Sequence, residues 1–296
     1  MSEIVKKKKT VSFSQFTKWW TCPYRWYRDV ILKESVFEDS VHMSFGTAIH
    51  EALQLYLKTL YGVGDKEAEA VDMIKCFTEA FKREIEKKKI PNTPEEFSGF
   101  VEDGKNILSE FKDPSNRLLH FPRDRWELLG IEQELNESIV NNVNLTAKLD
   151  LVLKEKQTGD IRIIDIKTSG NGWNNYNKED FTKTSQLVLY KAVYSKKYNV
   201  PLNKIHVEFF ILKRKLYENT RYEQSRIQLF KPPSYQKEVL QVIQEFSKFV
   251  NSCFTPEGVH KTNAKYPKNP GKSKKNCTYC NYLKNGKCDG RAEPIE

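Results

Sequence analysis

The spacing of apolar residues predicts a chain that begins with helices and continues into a sheet. Apolar residues three and four positions apart share one helix face, and this spacing predicts helices from after Gly46 to about 60, and over 66–89, 94–112, 183–198 and 234–253. Alternating apolar residues predict strands over 127–153, 161–168, 205–212 and 222–229. Thr93 and Glu96 form a capping box around Pro94, which marks the start of the helix over 94–112. This order favours one α/β or α+β domain with helical insertions.

The strand over 161–168 ends with an acid and a base where an apolar core should continue. Side chains on a strand alternate, so Asp165 and Lys167 share a face with Ile161 and Ile163, while Ile164 and Ile166 share the other. Both faces are apolar near the middle, which predicts burial on both sides. Because Asp and Lys are rarely buried without a partner, we expect these two residues to have a chemical role.

The segment before this strand suggests what that role is. Thr158-Gly159 predicts a turn, so the strands on either side form a hairpin. If residues 156–159 form the loop, Asp150 lies directly opposite Asp165, and a one-residue slip would place the two acids on opposite faces.

Two carboxylates paired in this way repel by about 3 kcal/mol at an effective dielectric constant of roughly 20. Lys167 can offset one charge, and a hard divalent cation, which prefers oxygen ligands, can offset two. The pattern therefore predicts half of a metal-dependent hydrolytic centre. A surface hairpin with an ordinary salt bridge is the alternative.

The six cysteines fall into two groups. Cys76 and Cys253 lie in apolar helical patterns and are interpreted as small core residues. Cys277-x-x-Cys280 followed by Cys288 is a metal-binding pattern, for which Cys22 is the natural fourth ligand. We expect no disulfide framework in this chain, which is interpreted as intracellular.

The formal net charge of +10 is unevenly distributed. Residues 1–10 carry four lysines against Glu3, and residues 255–276 carry six lysines against Glu257. This distribution suits a polyanionic partner, or simply soluble, basic, flexible segments. Because there is neither an apolar run long enough to span a membrane nor a signal peptide, a cytoplasmic location and no membrane partner are expected.

Four motifs in order resemble the PD-(D/E)XK nuclease superfamily, in particular its RecB-like exonuclease branch, which includes AddB-type, CRISPR-associated RecB-like and phage nucleases. The motifs are Gly46-Thr-Ala-Ile-His50-Glu51, Lys148-Leu-Asp150-Leu-Val152, Ile164-Asp165-Ile-Lys167-Thr168 and Gln186-Leu-Val-Leu-Tyr190. Ala147-Lys148 departs from the glycine and basic residue that often precede the first acid. The resemblance implies a bacterial or phage context.

This resemblance implies a restriction-endonuclease-like core, with a mixed central sheet flanked by helices, an N-terminal helical insertion and a C-terminal metal-cluster segment. The expected organisation is an aromatic and basic segment that contributes Cys22 (1–44), a helical region (45–126), a nuclease core (127–254), a basic linker (255–276) and a cysteine segment (277–296).

The resemblance also implies roles for individual residues. Asp150, Asp165, the Ile166 carbonyl and neutral His50 would bind one or two magnesium or manganese ions, and Lys167 would position the attacking water. Gln186 and Tyr190 share a helix face and are assigned to phosphate or ligand positioning, the alternative being an ordinary amphipathic helix. Glu134 is expected as an additional ligand, for which Glu132 has the same strand parity and competes.

The cysteines resemble an iron–sulfur staple, in which one N-terminal and three C-terminal cysteines hold a four-iron cluster. Structural zinc held by the same residues is the alternative. The seven residues between Cys280 and Cys288 exceed the expected spacing. Either metal would tie the chain ends together and support folding.

The segment from Lys18 to Arg28 mixes aromatic and basic residues, which suits stacking on unpaired bases or simple packing around the cluster. The expected activity is a metal-dependent DNA exonuclease that acts on single-stranded or frayed ends. The alternatives are an endonuclease or CRISPR-adaptation nuclease, and a non-catalytic DNA-binding recombination partner. Since no Walker A motif is present, any unwinding would need a partner helicase or recombination protein.

Overall fold

The computed structural model describes residues 9–35, 39–140 and 142–293. Residues 1–8, which carry most of the predicted basic N-terminal tail, lie outside the described residues. Within the described ranges, one mixed sheet contains β1 (Lys9–Ser12), β2 (Trp126–Val140), β3 (Val143–Glu155), β4 (Ile161–Ser169), β5 (Ile205–Lys213) and β6 (Ile227–Phe230). The strand order is β1-β3-β4-β5-β6, and β2 pairs with the other edge of β3.

Helices cover both faces of this sheet, so the predicted fold class is confirmed. They are α1 (Phe13–Thr21), α2 (Pro23–Trp26), α3 (Val41–Gly62), α4 (Asp65–Glu69), α5 (Met73–Lys88), α6 (Pro94–Lys112), α7 (Pro114–His120), α8 (Asn175–Glu179), α9 (Phe181–Tyr198), α10 (Gln236–Cys253) and α11 (Asn281–Lys284). No helix in the described part of the chain is both long and apolar enough to cross a membrane.

Two apolar cores lie on opposite sides of the sheet. Helices α1, α9 and α10 cover one face with a group that includes Phe16 and Phe246, and α3, α5 and α6 cover the other with a group that includes Phe45 and Phe77. Ile161 and Ile163 of β4 belong to the first core, and Ile164 and Ile166 belong to the second. The central strands are therefore buried on both sides, as the apolar pattern predicts.

The boundaries of α6 match the prediction, and both halves of the Thr93–Glu96 capping box are formed. Gly104 within this helix has a packing reason, because a Cβ there would lie 2.2 Å from the Phe77 ring. By contrast, α3 begins before the predicted start, since the Ser40 hydroxyl caps it by accepting a hydrogen bond from the Met43 N–H at 3.3 Å.

Two other predictions differ from the structure. The helix over 66–89 is divided into α4 and α5, and the strand over 222–229 shrinks to β6, with Tyr222 lying exposed in the preceding loop. Strand β1 and helix α7 were not predicted. Both are short, and their apolar patterns are too brief for a period to be assigned.

Residues 255–276 do more than link two segments. Tyr266 is buried and stacks on Tyr27 with ring centres 5.0 Å apart, and the Tyr24 N–H donates to the Pro267 carbonyl at 3.2 Å. This region therefore packs against the N-terminal segment and brings the C-terminal cysteines to Cys22.

Candidate active site

The β3–β4 hairpin has the register that its turn predicts. Leu151 pairs with Ile164, and the Glu155 N–H donates to the Asp160 carbonyl at 2.8 Å. Gly159 closes the turn with a φ of +72°, a conformation that glycine adopts without strain. Continuing this register by one pair places Asp150 opposite Asp165.

The edge of β3 beside Asp150 is split between two strands. Strand β2 pairs along one edge of β3, while β1 pairs with 143–146 and β4 with 151–154 on the other. Residues 147–150 therefore face a gap between β1 and β4. In this gap Asp150 Oδ2 accepts a hydrogen bond from the Ile166 N–H at 2.7 Å. The Asp150 carboxylate therefore takes the place of a backbone carbonyl from a neighbouring strand.

Asp165 lies deeper than its partner acid. The residue is 4% exposed, and its Oδ2 has the Lys167 ammonium at 2.7 Å. That oxygen accepts no well-oriented hydrogen bond from the described residues. A buried carboxylate oxygen left in this state is costly, which makes it a candidate ligand for a cation.

Helix α3 brings His50 to the same point. A Cβ at Gly46 would lie 3.2 Å from Thr168 Oγ1, so the glycine allows the helix to approach β4 closely. His50 Nε2 lies 2.8 Å from the Ile166 carbonyl oxygen, and Nδ1 lies 3.9 Å from Asp150 Oδ2. Burial lowers the pKa of His50, and a neutral imidazole that donates from Nε2 keeps the Nδ1 lone pair for a metal.

Glu132, rather than Glu134, joins this group. Glu132 lies between the pairs Ile131–Leu151 and Gln133–Leu149, hence opposite Asp150. Ligand atoms of His50, Glu132 and Asp150 all lie within 4.8 Å of one another. Gln54 Nε2 donates to Glu132 Oε1 at 2.7 Å and fixes the carboxylate.

The expectation for Glu134 rested on strict alternation, which fails at this point of the sheet. Ile131 packs against one core and Leu135 against the other, although both are odd-numbered positions. Between them Glu132 has a φ of +52°, in the left-handed region that non-glycine residues seldom adopt. Glu134 pairs with Lys148 and lines a separate cavity.

With both carboxyl groups ionised, the acids would carry more negative charge than Lys167 compensates. Burial, and then the negative charge of Asp165, raises the pKa of Asp150 to about 8, so the ion-free site holds a proton on Asp150 at neutral pH. Burial opposes the charge on Lys167, but the carboxylates, Asp165 foremost, hold its pKa above the usual value. A set of carboxylate oxygens with one neutral imidazole fits a hard divalent cation, which would take the place of that proton.

Gln186 and Tyr190 lie beside this centre on α9. Gln186 Nε2 donates to the Tyr190 hydroxyl at 3.2 Å, and both line a cavity of about 630 Å³ with Thr17, Lys148 and Glu134. Burial raises the pKa of Tyr190 to about 12, so its hydroxyl remains a hydrogen-bond donor at neutral pH.

A larger cavity of about 1060 Å³ lies on the His50 side, and Glu132 and Lys167 line it. Two of its basic residues, Lys88 and Arg214, were not singled out in the sequence. Asp103 of α6 holds Arg214, with an Nε–Oδ2 distance of 3.6 Å, and the guanidinium lies 4.3 Å from the Phe100 ring centre. No local motif marks Arg214, because its partners come from the helical insertion.

The four predicted metal-binding cysteines come together around a small cavity, which Cys22, Cys277, Cys280 and Cys288 line. Burial, and then the neighbouring thiols of the other three, raises the pKa of Cys277. Backbone N–H groups of Asn269 and Gly290 donate to the sulfurs of Cys22 and Cys288, both at 3.4 Å. Cys253 is fully buried and Cys76 is partly buried against a core, as the sequence predicts.

Most aromatics near Cys22 pack into the protein. Trp26 is fully buried between Phe249 and Tyr266, and Trp19 packs on Phe249 with ring centres 5.6 Å apart. The packing alternative therefore holds for these two residues, whereas Trp20 remains 37% exposed.

Comparison with known proteins agrees with this geometry. The chain is similar to the solved structure of a candidate exonuclease from Eubacterium rectale, with 10% identity, a TM-score of 0.56, and 100% of this chain and 96% of that chain covered. At such low identity this similarity supports the fold alone. The solved structure of SSO0001 is 13% identical over 83% of this chain and 78% of its own, and its TM-score of 0.36 carries no argument.

No curated protein gives a significant sequence match. The family model described as the PD-(D/E)XK nuclease superfamily, however, matches residues 10–284, a range that contains most of β1, His50, both acids, Lys167 and α9. The chain therefore belongs to the PD-(D/E)XK nuclease superfamily.

Proposed function

We propose that this protein hydrolyses phosphodiester bonds of DNA with the help of a divalent cation at Asp150 and Asp165. The observation that carries the proposal is the pair of opposed carboxylates, Asp150 partly buried and Asp165 buried, with one lysine as their charged partner. With both acids ionised, one negative charge is left unbalanced, and a bound cation would balance it.

The residues present fit magnesium or manganese. Asp150 and Glu132 offer carboxylate oxygens and His50 offers a neutral nitrogen, and these ligand atoms lie within 4.8 Å of one another. The Ile166 carbonyl and the Asp165 carboxylate lie beside this group and complete the proposed ligand set. A bound ion would supply concentrated positive charge that polarises the scissile phosphate. This oxygen-rich set favours hard cations over zinc.

Lys167 has the position and charge to act on the nucleophile. Its side chain is 36% exposed, lines the larger cavity, and remains charged beside Asp165. The ammonium can donate a hydrogen bond to an attacking water and can stabilise the negative charge that develops on the phosphate. Gln186 and the neutral Tyr190 hydroxyl can donate to phosphate oxygens from the other side.

We further propose an exonuclease that acts on single-stranded or frayed ends. The Eubacterium rectale protein with the similar fold is itself described as an exonuclease candidate, and the resemblance to RecB-like enzymes gives the same expectation. An endonuclease or CRISPR-adaptation nuclease would use the same centre. A non-catalytic recombination partner is less consistent with the retained Asp150, Asp165 and Lys167.

For the four cysteines we propose a four-iron cluster rather than zinc. The four cysteines line one small cavity, and the backbone N–H groups of Asn269 and Gly290 donate to the sulfurs of Cys22 and Cys288. Such N–H groups suit the charge of an iron–sulfur cluster. The resemblance to the iron–sulfur staple favours iron over zinc, the metal that the same four thiolates would otherwise hold.

The test is incubation of purified, metal-loaded protein with end-labelled single-stranded DNA and Mn²⁺, beside Asp165→Ala and a metal-free sample. The matched control is Asp160→Ala, since Asp160 lies on the same hairpin but binds Lys204 and His206. Cleavage lost in Asp165→Ala and without metal, and retained in Asp160→Ala, is expected, and the product ladder gives polarity. Absence of cleavage by wild-type protein that still binds DNA would favour the accessory role.

A further inference from the structure

Three distant parts of the chain meet on the surface beside Cys22. Asn276 Nδ2 donates to the Thr21 carbonyl at 3.0 Å, which fixes the turn at Lys272–Cys277 against the end of α1. The Lys275 ammonium lies 4.4 Å from the ring centre of Tyr176 on α8. We call Trp20, Tyr176, Lys272, Lys274 and Lys275 the stacking surface.

The two aromatic residues of this surface are not buried in the core. Trp20 is 37% exposed, although its ring packs on Phe181 with centres 4.5 Å apart, and Tyr176 is 55% exposed. Because the indole of Trp20 packs on Phe181 and is still partly exposed to solvent, a second planar group, such as a base, can stack on its exposed part. This contrasts with Trp26, which is fully buried.

The three lysines can bind a negatively charged ligand. All are exposed, and none forms an ion pair within the described ranges. Ser273 and Lys274 have φ angles of +51° and +56°. Non-glycine residues held in this region cost about 1 kcal/mol or more each and occur preferentially at ligand sites.

The stacking surface adjoins the cavity of about 630 Å³ beside the acid centre, which we call the cleft. Thr17, one helical turn before Trp20, lines the cavity that also contains Gln186 and Tyr190. Phe181, on which Trp20 packs, is the first residue of the helix that carries them. Thr17 and Trp20 are three residues apart, about 4.5 Å along the helix axis, so a bound strand could continue from the cleft without crossing a gap.

We propose that the stacking surface binds the unpaired DNA strand as it continues from the cleft, with bases on Trp20 and Tyr176 and phosphates at the three lysines. The proposal rests on the function proposed above and extends it to a second binding region. A duplex is disfavoured as the occupant, because aromatic platforms need bases that have left their own stack. The cysteine cluster then also holds the lysine turn in place.

The test measures binding of fluorescent oligo-dT of 5 and 20 nucleotides to the full, metal-loaded chain carrying Asp165→Ala, which prevents cleavage. Tyr176→Ala should raise the Kd for the 20-mer about tenfold, because loss of one stacked base has an effect of this order. The 5-mer, which the cleft alone can hold, should bind as before. Trp20→Ala should act in the same direction, and Tyr235→Ala, which removes a more exposed tyrosine just before α10, is the control.

A second variant tests the phosphate contacts. Replacing Lys272, Lys274 and Lys275 by serine should lower the slope of log Kd against log salt by about 2 for the 20-mer. Replacing the exposed Lys66, Lys75 and Lys237 is the charge-matched control. Iron and zinc contents must match the parent in every variant.

Two outcomes separate this inference from the proposed function. If wild-type protein cleaves DNA while Tyr176→Ala and the lysine variant bind the 20-mer as their controls do, the stacking surface is wrong and the catalytic proposal stands. If wild-type protein does not cleave but the variants weaken binding, the surface stands and the catalytic proposal fails. Preference for oligo-rU of the same length would overturn the assignment of DNA.

Discussion

The acid site in the sheet and the cysteine site at the chain ends bring their ligands together by opposite means. At the acid site, strand register forces Asp150 and Asp165 to face each other, and burial raises the pKa of Asp150 to about 8. At the cysteine site, loops converge through separate side-chain contacts: Asn276 donates to the Thr21 carbonyl, the Tyr282 hydroxyl donates to Asp29, and Lys287 pairs with Glu34.

Under the proposed function, this difference separates two uses of a metal. The acid site has one lysine for two carboxylates, and His50, Glu132 and Lys167 beside them line a large cavity, which suits a catalytic cation. The cysteine site is nearly enclosed and joins residues about 250 positions apart in the sequence, which is what a structural metal requires. Loss of ligands should therefore affect rate at one site and stability at the other.

The largest effect is expected from Lys167→Gln. Loss of the ammonium should lower kcat roughly 100- to 1000-fold, because it removes the charge that stabilises the transition state, while Mn²⁺ binding should not weaken since the acids remain. Lys215→Gln, a lysine that pairs with Asp103 instead, is the control. Single-turnover cleavage measures both, and retention of more than a tenth of the rate in Lys167→Gln contradicts the role.

Cys22→Ala tests whether loss of a ligand at the cysteine site lowers stability. It should lose bound iron or zinc and unfold at a lower temperature, with a stability loss on the order of 3 kcal/mol because a long loop is no longer closed. Cys76→Ala, which alters a partly buried thiol outside both sites, should keep its metal. Metal analysis with calorimetry decides the point, and full metal occupancy in Cys22→Ala would remove this residue from the ligand set.

Glu132→Gln should act on metal affinity with little effect on folding. Loss of one ligand carboxylate should raise the Mn²⁺ concentration for half-maximal cleavage about tenfold. Glu134→Gln, two residues along the same strand, should be close to wild type. If Glu134→Gln has the larger effect, the assignment based on the left-handed Glu132 is wrong.

The pH dependence of metal binding has an effect of similar size for each pH unit. Since Asp150 must lose its proton to bind an ion, the half-saturating metal concentration should rise about tenfold per unit as the pH falls below about 8. The raised pKa also means that the ion-free folded state holds this proton more tightly than the unfolded state, so its stability falls as the pH rises towards 8. Titrations at pH 6, 7 and 8 measure the trend, and a flat response contradicts it.

Much of the acid site could be predicted from the sequence because it depends on local order. The Thr158-Gly159 turn sets the register that opposes Asp150 and Asp165, and Gly46 precedes His50 by one helical turn. Glu132 could not be chosen over Glu134, because parity arguments assume regular alternation and the strand departs from it at that residue. Arg214 was missed because Asp103, which holds it, is more than 100 residues away.

The same reasoning applies to the fold. The capping box fixed the start of α6, whereas the position of β1 depends on pairing with β3, which is distant in sequence and has no local signal. Residues 255–276 were predicted as a linker from their composition, yet Tyr266 is buried against Tyr27. Proline, glycine and lysine indicate irregular backbone, and they do not indicate whether that backbone packs.

The most direct test of the account is calorimetric titration of metal-stripped acid sites with Mn²⁺ in the full chain, its cysteine metal retained, for wild type, Asp150→Asn and Asp160→Asn. Wild type and Asp160→Asn should bind Mn²⁺ with proton release near pH 7, and Asp150→Asn should not bind it. If wild type binds no Mn²⁺, or if Asp150→Asn binds it equally well, the opposed carboxylates are not a metal centre.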